Sequence, residues 1–176
     1  VTRSIPRLVA CLVLVASAPA AAQGASETAV KAAYLVKFGG YVDWPAPQLG
    51  PLTLCIVGRD PLGTAIDRAA AGQQVNGRPV QVRRITRLDR GSGCAIAFVS
   101  GSPAQDVAAA LGEVDGAPVL TVTDSRWSDA RGIIHFQILR SRVRFHIDEK
   151  TAARCKLGVS SKLLAIALTV RSRMGR

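Results

Sequence analysis

The run Leu52-Thr53-Leu54-Cys55-Ile56-Val57-Gly58 (LTLCIVG, residues 52–58) is apolar at odd and even positions alike. A strand with both faces apolar belongs at the centre of a sheet covered on two sides. Gly58 ends it, and a helix is expected over 61–71, with Asp60 as its N-cap and Pro61 in its first turn. The rhythm then repeats. CAIAFV (94–99) is a second buried strand ended by Ser100-Gly101, residues 103–114 read as a helix, and PVLTVT (118–123) is a third strand ended by Asp124. Strand–helix–strand alternation predicts a parallel or mixed sheet with helices on its faces. Gly72 to Gly77 reads as a turn. The following segment, 78–85, alternates Val80, Val82 and Ile85 with Arg78, Gln81, Arg83 and Arg84, which places it near an edge.

Outward from this centre the pattern changes. Residues 132–139 and 142–147 both alternate about Arg140-Ser141. Antiparallel pairing about that point sets Ile134 opposite Ile147, Phe136 opposite Phe145 and Ile138 opposite Val143. It sets His135 opposite His146 on the other face. Arg-Ser is a poor two-residue turn, so a longer loop about the same centre is expected. Asp148 can cap a short helix through Cys155, and Ser160 a last one carrying Leu163, Leu164, Ile166, Ala167 and Val170. Upstream, Ser26-Glu27-Thr28 opens a helix whose apolar residues are read as Ala29, Val30, Ala33, Leu35 or Val36, and Phe38; Asp43-Trp44-Pro45 stops it. Trp44 is read as a plug at the end of the core. The expected fold is α/β: a mixed sheet of about six strands flanked by helices on both faces, ending in an antiparallel hairpin and a C-terminal helix.

The first residues read as an export signal. Arg3 and Arg7 precede the 11-residue apolar run Leu8–Ala18, followed by Pro19 and the small residues Ala20, Ala21 and Ala22. The run is too short to span a bilayer, which takes about 20 residues. Cleavage after Ala22 is expected, with residues 23–176 forming one domain and no stable membrane anchor. Leu8-Val9-Ala10-Cys11 resembles a lipoprotein box, but most of the apolar run follows Cys11 rather than preceding it.

Beyond residue 22, 21 basic residues stand against 12 acidic ones, a net charge of +9. Such a balance favours nucleic acid in a cytoplasmic protein. Export excludes that partner and leaves anionic lipid, wall polymers or an acidic protein face. With 16 Arg to five Lys in that span, 18 to five over the full chain, the excess also fits a merely Arg-rich surface. Three cysteines follow the signal: Cys55, Cys94 and Cys155. Three allow at most one internal bridge. Cys55 and Cys94 lie on strands that can be neighbours, so they are either bridged or two buried thiols, and Cys155 is the one left over.

No catalytic or metal motif is present in the sequence: there is no GxSxG, HExxH, Walker loop or dinucleotide fingerprint, and no zinc-type spacing. GRDPLG lacks the glycine spacing and lysine of a phosphate loop. His135 and His146 could face a metal across two strands, but cross-strand surface histidines are the simpler reading. Neither enzymatic activity nor a cofactor is expected. Were a small ligand to bind, the carboxyl ends of the parallel strands would hold it, near Gly58, Arg59, Asp60, Ser100, Gly101, Thr123 and Asp124.

Taken in order, VKAAYLVKFGGYVDWP (30–45), LTLCIVGRDPLG (52–63), NGRPVQVRRI (76–85), GCAIAFVS (93–100), APVLTVTD (117–124), GIIHFQILRSRVRFHID (132–148) and LGVSSKLLAIA (157–167) resemble the YfiR family (DUF4154). The resemblance implies a periplasmic, frequently dimeric and non-enzymatic regulator with a mixed sheet. The family's best-known member represses an inner-membrane diguanylate cyclase, and an outer-membrane lipoprotein relieves it. The implied partner is therefore the periplasmic region of a membrane signalling protein in cyclic-di-GMP signalling; the alternative is a small-ligand-binding module. The family's cysteines in the "LCIVG" and "GCAIAF" contexts imply a Cys55–Cys94 bridge. Two departures stand out: Asp148 occupies a position where Asn is common, and a second cysteine pair of some members has no counterpart.

Overall fold

The computed structural model describes residues 20–45 and 50–172; residues 1–19 of the expected signal segment 1–22 lie outside them. Helix α1 (Ala20–Phe38) continues through a single 3-10 turn (Gly39–Tyr41) into the short strand β1 (Val42–Asp43). Next come β2 (Leu52–Gly58), α2 (Thr64–Ala70), β3 (Gln74–Val75), β4 (Arg78–Ile85), β5 (Ile96–Gly101), α3 (Val107–Glu113) and β6 (Leu120–Asp124). The chain ends with β7 (Ile134–Leu139), β8 (Arg142–Asp148), α4 (Glu149–Arg154), β9 (Gly158–Val159), α5 (Ser161–Ile166) and β10 (Thr169–Arg171).

Eight strands form one mixed sheet in the order β10-β8-β7-β6-β5-β2-β4-β3, and β1 and β9 pair separately. Strands β4, β2, β5, β6 and β7 are parallel. The winding reverses between β2 and β5, which makes their carboxyl ends a topological switch point. The strand count exceeds the expected six because β1, β3, β9 and β10 have only two or three residues each, too short to show alternation.

Alternation along β2 explains why it is apolar throughout. Leu52, Leu54 and Ile56 join the cluster that includes α1 and α2, whereas Cys55 and Val57 join a second cluster built with α3. Strand β5 divides in the same way, Ile96 and Phe98 against Ala97 and Val99. The larger cluster centres on aromatic rings. Phe38 of α1 stacks at 5.8 Å on Phe136 and meets Phe145 edge-on at 5.2 Å, while Tyr34 meets Phe145 at 5.4 Å. Such contacts each add about 0.5–1.5 kcal/mol beyond area burial and fix α1 on the hairpin.

The hairpin register is the expected one, Ile134↔Ile147, His135↔His146, Phe136↔Phe145 and Ile138↔Val143. Its loop is shorter than expected. Leu139 pairs with Arg142, and Arg140 and Ser141 both take positive φ, 49° and 59°. That is the backbone of a two-residue type I′ turn, whose twist matches that of the strands it joins. Strand pairing therefore overrides residue preference here. Substituting Arg140→Asn with Ser141→Gly should raise stability by about 1 kcal/mol, read as a higher urea midpoint at unchanged slope.

Several helix boundaries also differ. The buried face of α1 is Lys31, Ala32, Leu35, Val36 and Phe38, with Ala29, Val30 and Ala33 exposed. The face is rotated because one of its members is a lysine. Asp60 does not cap α2. Its Oδ1 accepts from Leu62 N and Gly63 N in a turn ahead of the helix, and Arg84 Nε bonds its Oδ2 at 2.7 Å. The α3 helix begins at Val107, behind an Asp106 cap, because Ser102 and Gln105 bridge across the preceding loop. Asp148 and Ser160 cap α4 and α5 as expected. The last helix, however, stops at Ile166; Val170 instead lies in β10, parallel to β8, where β-branched Thr169 and Val170 complete the sheet edge. Trp44 packs against the larger cluster and donates from Nε1 to Pro118 O at 3.0 Å.

Candidate functional site

The residues named from sequence fall into two groups at the carboxyl ends of the parallel strands. Gly58, Arg59, Ser100 and Gly101 meet at the switch point. There Arg59 N donates to Gly101 O at 3.0 Å, and Ser100 Oγ donates to Val57 O at 3.1 Å and also approaches Arg59 O. Gly58 (φ 82°) is required, since a Cβ would fall 2.3 Å from Gly101 O. These backbone groups bond one another across the crevice between β2 and β5. Asp60 faces Arg84, whose guanidinium also binds Asp67 and holds that carboxyl below its usual range. Thr123 lies on the opposite sheet face, bonded to His135.

Asp124 belongs to the second group, around a cavity of about 80 Å³ whose lining includes Glu27, Lys31, Leu62, Phe98, Arg126 and Trp127. Here α1 meets the end of β6. Lys31 is 4% exposed and Asp124 2% exposed. Lys31 Nζ donates to Asp124 Oδ2 at 2.5 Å and to Glu27 Oε1, one helical turn back, at 2.6 Å. Arg126 extends the chain of charges, donating from a guanidinium nitrogen to Glu27 Oε2 at 2.6 Å and from its backbone N to Asp124 Oδ1 at 3.0 Å. Asp124 O accepts from Trp127 N at 3.0 Å, closing the turn that presents the indole. Trp127 is 38% exposed, and the Arg59 guanidinium carbon sits 5.8 Å from its ring centroid.

This arrangement contains no nucleophile with an adjacent base. Its interior charges satisfy one another, and what it shows to solvent is an indole with a guanidinium beside it. Those are recognition groups, enriched among the residues that dominate protein interfaces. Sequence reading found Arg59 and Asp124 but missed Glu27, Lys31, Arg126 and Trp127. The Glu27/Lys31 spacing was a visible signal, but on its own it reads as an ordinary surface pair.

The bridge implied for Cys55 and Cys94 is present, with S–S 1.95 Å and Cα–Cα 5.7 Å. Cys94 lies just before β5, where Ala95 N donates to Thr53 O. Cys155 is free and buried, and burial pushes its thiol pKa up. His135 and His146 do face each other, with ring centroids 6.3 Å apart. Among the described residues no group of three or more potential metal ligands occurs, and no helix is long and apolar enough to cross a membrane.

No curated protein matches the chain. The family model described as YfiR/HmsC-like matches residues 28–168, from within α1 to the residue before β10. That span includes the bridged cysteines, the hairpin and, apart from Glu27, the charged cluster under Trp127, and the chain belongs to the YfiR/HmsC-like family.

Proposed function

We propose that this protein is an exported, non-enzymatic regulator in cyclic-di-GMP signalling. In this reading it holds down an inner-membrane diguanylate cyclase by binding the cyclase's periplasmic region, and it works as a homodimer. Family membership over residues 28–168 carries the reading. The N-terminal apolar run with its small-residue cleavage site supports export, and an oxidising compartment suits the Cys55–Cys94 bridge.

The same reading assigns the partner-binding anchor to Trp127 and Arg59. An aromatic and a guanidinium at the mouth of a rigid, internally paired cluster are suited to a desolvated hot spot. The alternative of a small ligand at the switch point is less favoured, because Arg59 N and Gly101 O, and Ser100 Oγ and Val57 O, already bond across that crevice.

Deleting the gene should raise cellular cyclic-di-GMP, and restoring the wild-type protein should lower it again. Trp127→Ala should fold normally, bind the solubilised partner at least about 30-fold more weakly and fail to restore repression. An unchanged cyclic-di-GMP level in the deletion strain across growth conditions overturns the regulatory reading. Full repression by Trp127→Ala overturns only the choice of anchor.

A further inference from the structure

A second cavity, of about 350 Å³, lies on the sheet face opposite α1, where β7, β8 and β10 meet the segment that leads into β7. Side chains alternate along these strands. Phe136 and Phe145 pack toward α1, so His135 and His146 point the other way. The cavity's polar lining includes His135, His146, Arg131, Thr169, Arg171 and Asp148, and its size is at the lower end of the range for small-molecule sites.

His135 is the unusual member. It is 3% exposed, and its Nδ1 lies 2.8 Å from Thr123 Oγ1. That hydroxyl also accepts from Gly132 N at 2.9 Å and keeps one lone pair and one proton, so it can either donate to Nδ1 or accept from it. When it donates, the imidazole proton resides on Nε2. No described group bonds Nε2, and the ring borders the cavity. Nε2 is the ring's one uncommitted nitrogen, and an N–H held there rigidly against a polar cavity is a donor in place for a ligand.

The other lining groups decide what that ligand is. His146 is spent, with Nδ1 on Thr169 Oγ1 and Nε2 on Gln137 Oε1, both at 2.6 Å. Only one of the two rings therefore has a nitrogen to offer, which argues against a metal bridging them. Asp148 is also engaged, with Oδ1 accepting from Thr151 N and Oδ2 from Arg171 at 3.2 Å. Arg131 has no ion-pair partner among the described residues, and its charge reaches both imidazoles, adding to the burial that lowers their pKa values. An N–H donor flanked by an unpaired guanidinium and a second, partly committed one suits an oxyanion. A carboxylate or phosphate group alone would leave most of the volume empty.

We propose that this pocket binds a small organic oxyanion, a carboxylate or a phosphate monoester, through His135 Nε2–H and the Arg131 guanidinium. The site is separate from the Trp127 surface and does not depend on the regulatory reading.

The test follows the histidine ring nitrogens of the folded protein by NMR while inorganic phosphate, glycerol 3-phosphate and citrate are added separately. A saturable shift of His135 Nε2 with half-saturation below about 1 mM is expected for the phosphate ester or for the carboxylate, and which of them responds identifies the class. Arg131→Ala, an exposed substitution that should leave the fold intact, should weaken that binding at least about tenfold. Arg142→Ala, which lines a neighbouring cavity, should leave it unchanged. The proposal is overturned if neither organic probe saturates, if inorganic phosphate alone does, or if Arg131→Ala binds as tightly as wild type.

Discussion

Replacing Lys31 with Met should destabilise this protein by about 3–5 kcal/mol, because it leaves a buried carboxylate without its counter-charge. Asp124 is 2% exposed, and with Lys31 gone its Oδ2 loses the 2.5 Å bond while Oδ1 keeps only Arg126 N. Glu27 would retain Arg126 alone. In a domain of this size the loss corresponds to a melting temperature lower by roughly 10 °C. Burial also makes the effect nearly independent of added salt, unlike that of a surface pair. The double substitution Lys31→Met with Asp124→Asn should recover at least about 2 kcal/mol of the loss, since it removes both charges together. Urea unfolding of the two single variants and the double variant measures this coupling. A single-variant cost below about 1 kcal/mol would mean that the aromatic contacts of Tyr34 and Phe38, rather than this ion pair, hold α1 in place.

Removing the Cys55–Cys94 bridge should be about as costly. The cysteines are 39 residues apart in sequence, and loop-closure entropy for that span amounts to about 4 kcal/mol in the chain-entropy account. The closed loop contains α2, β3 and β4, so the reduced chain gains freedom over a whole edge of the sheet. Reductant should lower the urea midpoint of wild type strongly and leave a Cys55→Ala/Cys94→Ala variant unaffected, that variant being already low. Cys155 should not react with thiol reagents in the native state, since it is 4% exposed and burial raises its pKa. Peptide mapping without reductant should recover the Cys55–Cys94 linkage; a linkage to Cys155 would contradict the structure.

How far the sequence could be read depended on how each segment earns its conformation. Strands β2, β5 and β6 could be read because burial on both faces leaves an unbroken apolar signature. The hairpin could be read down to its register, because a slip of one residue would expose Ile134, Phe136, Phe145 and Ile147 together. Segments held mainly by their neighbours were harder to read. Val170 reads as part of a helix because Leu163–Val170 is apolar but for Thr169, yet it adds to β8 because an edge was open there. Likewise, Arg140-Ser141 accepts a turn its residues disfavour because the paired strands impose it.

The candidate site divides along the same line. Placing a site at the carboxyl ends of parallel strands follows from sheet architecture, so Arg59 and Asp124 were within reach of the sequence. Glu27 and Lys31 come from a helix almost a hundred residues away from Asp124, and nothing local reveals that a lysine on an otherwise apolar face is buried against a strand-end carboxylate. By itself, the sequence determined the α/β class, the hairpin register and the resemblance to a family, because each is written in periodicity or in the order of local motifs. Only the tertiary structure decided the strand order, the burial of Lys31, the exposure of Trp127 and the Nε2 of His135 left without a partner. These are properties of contacts between distant segments, and a contact of that kind has no period along the chain.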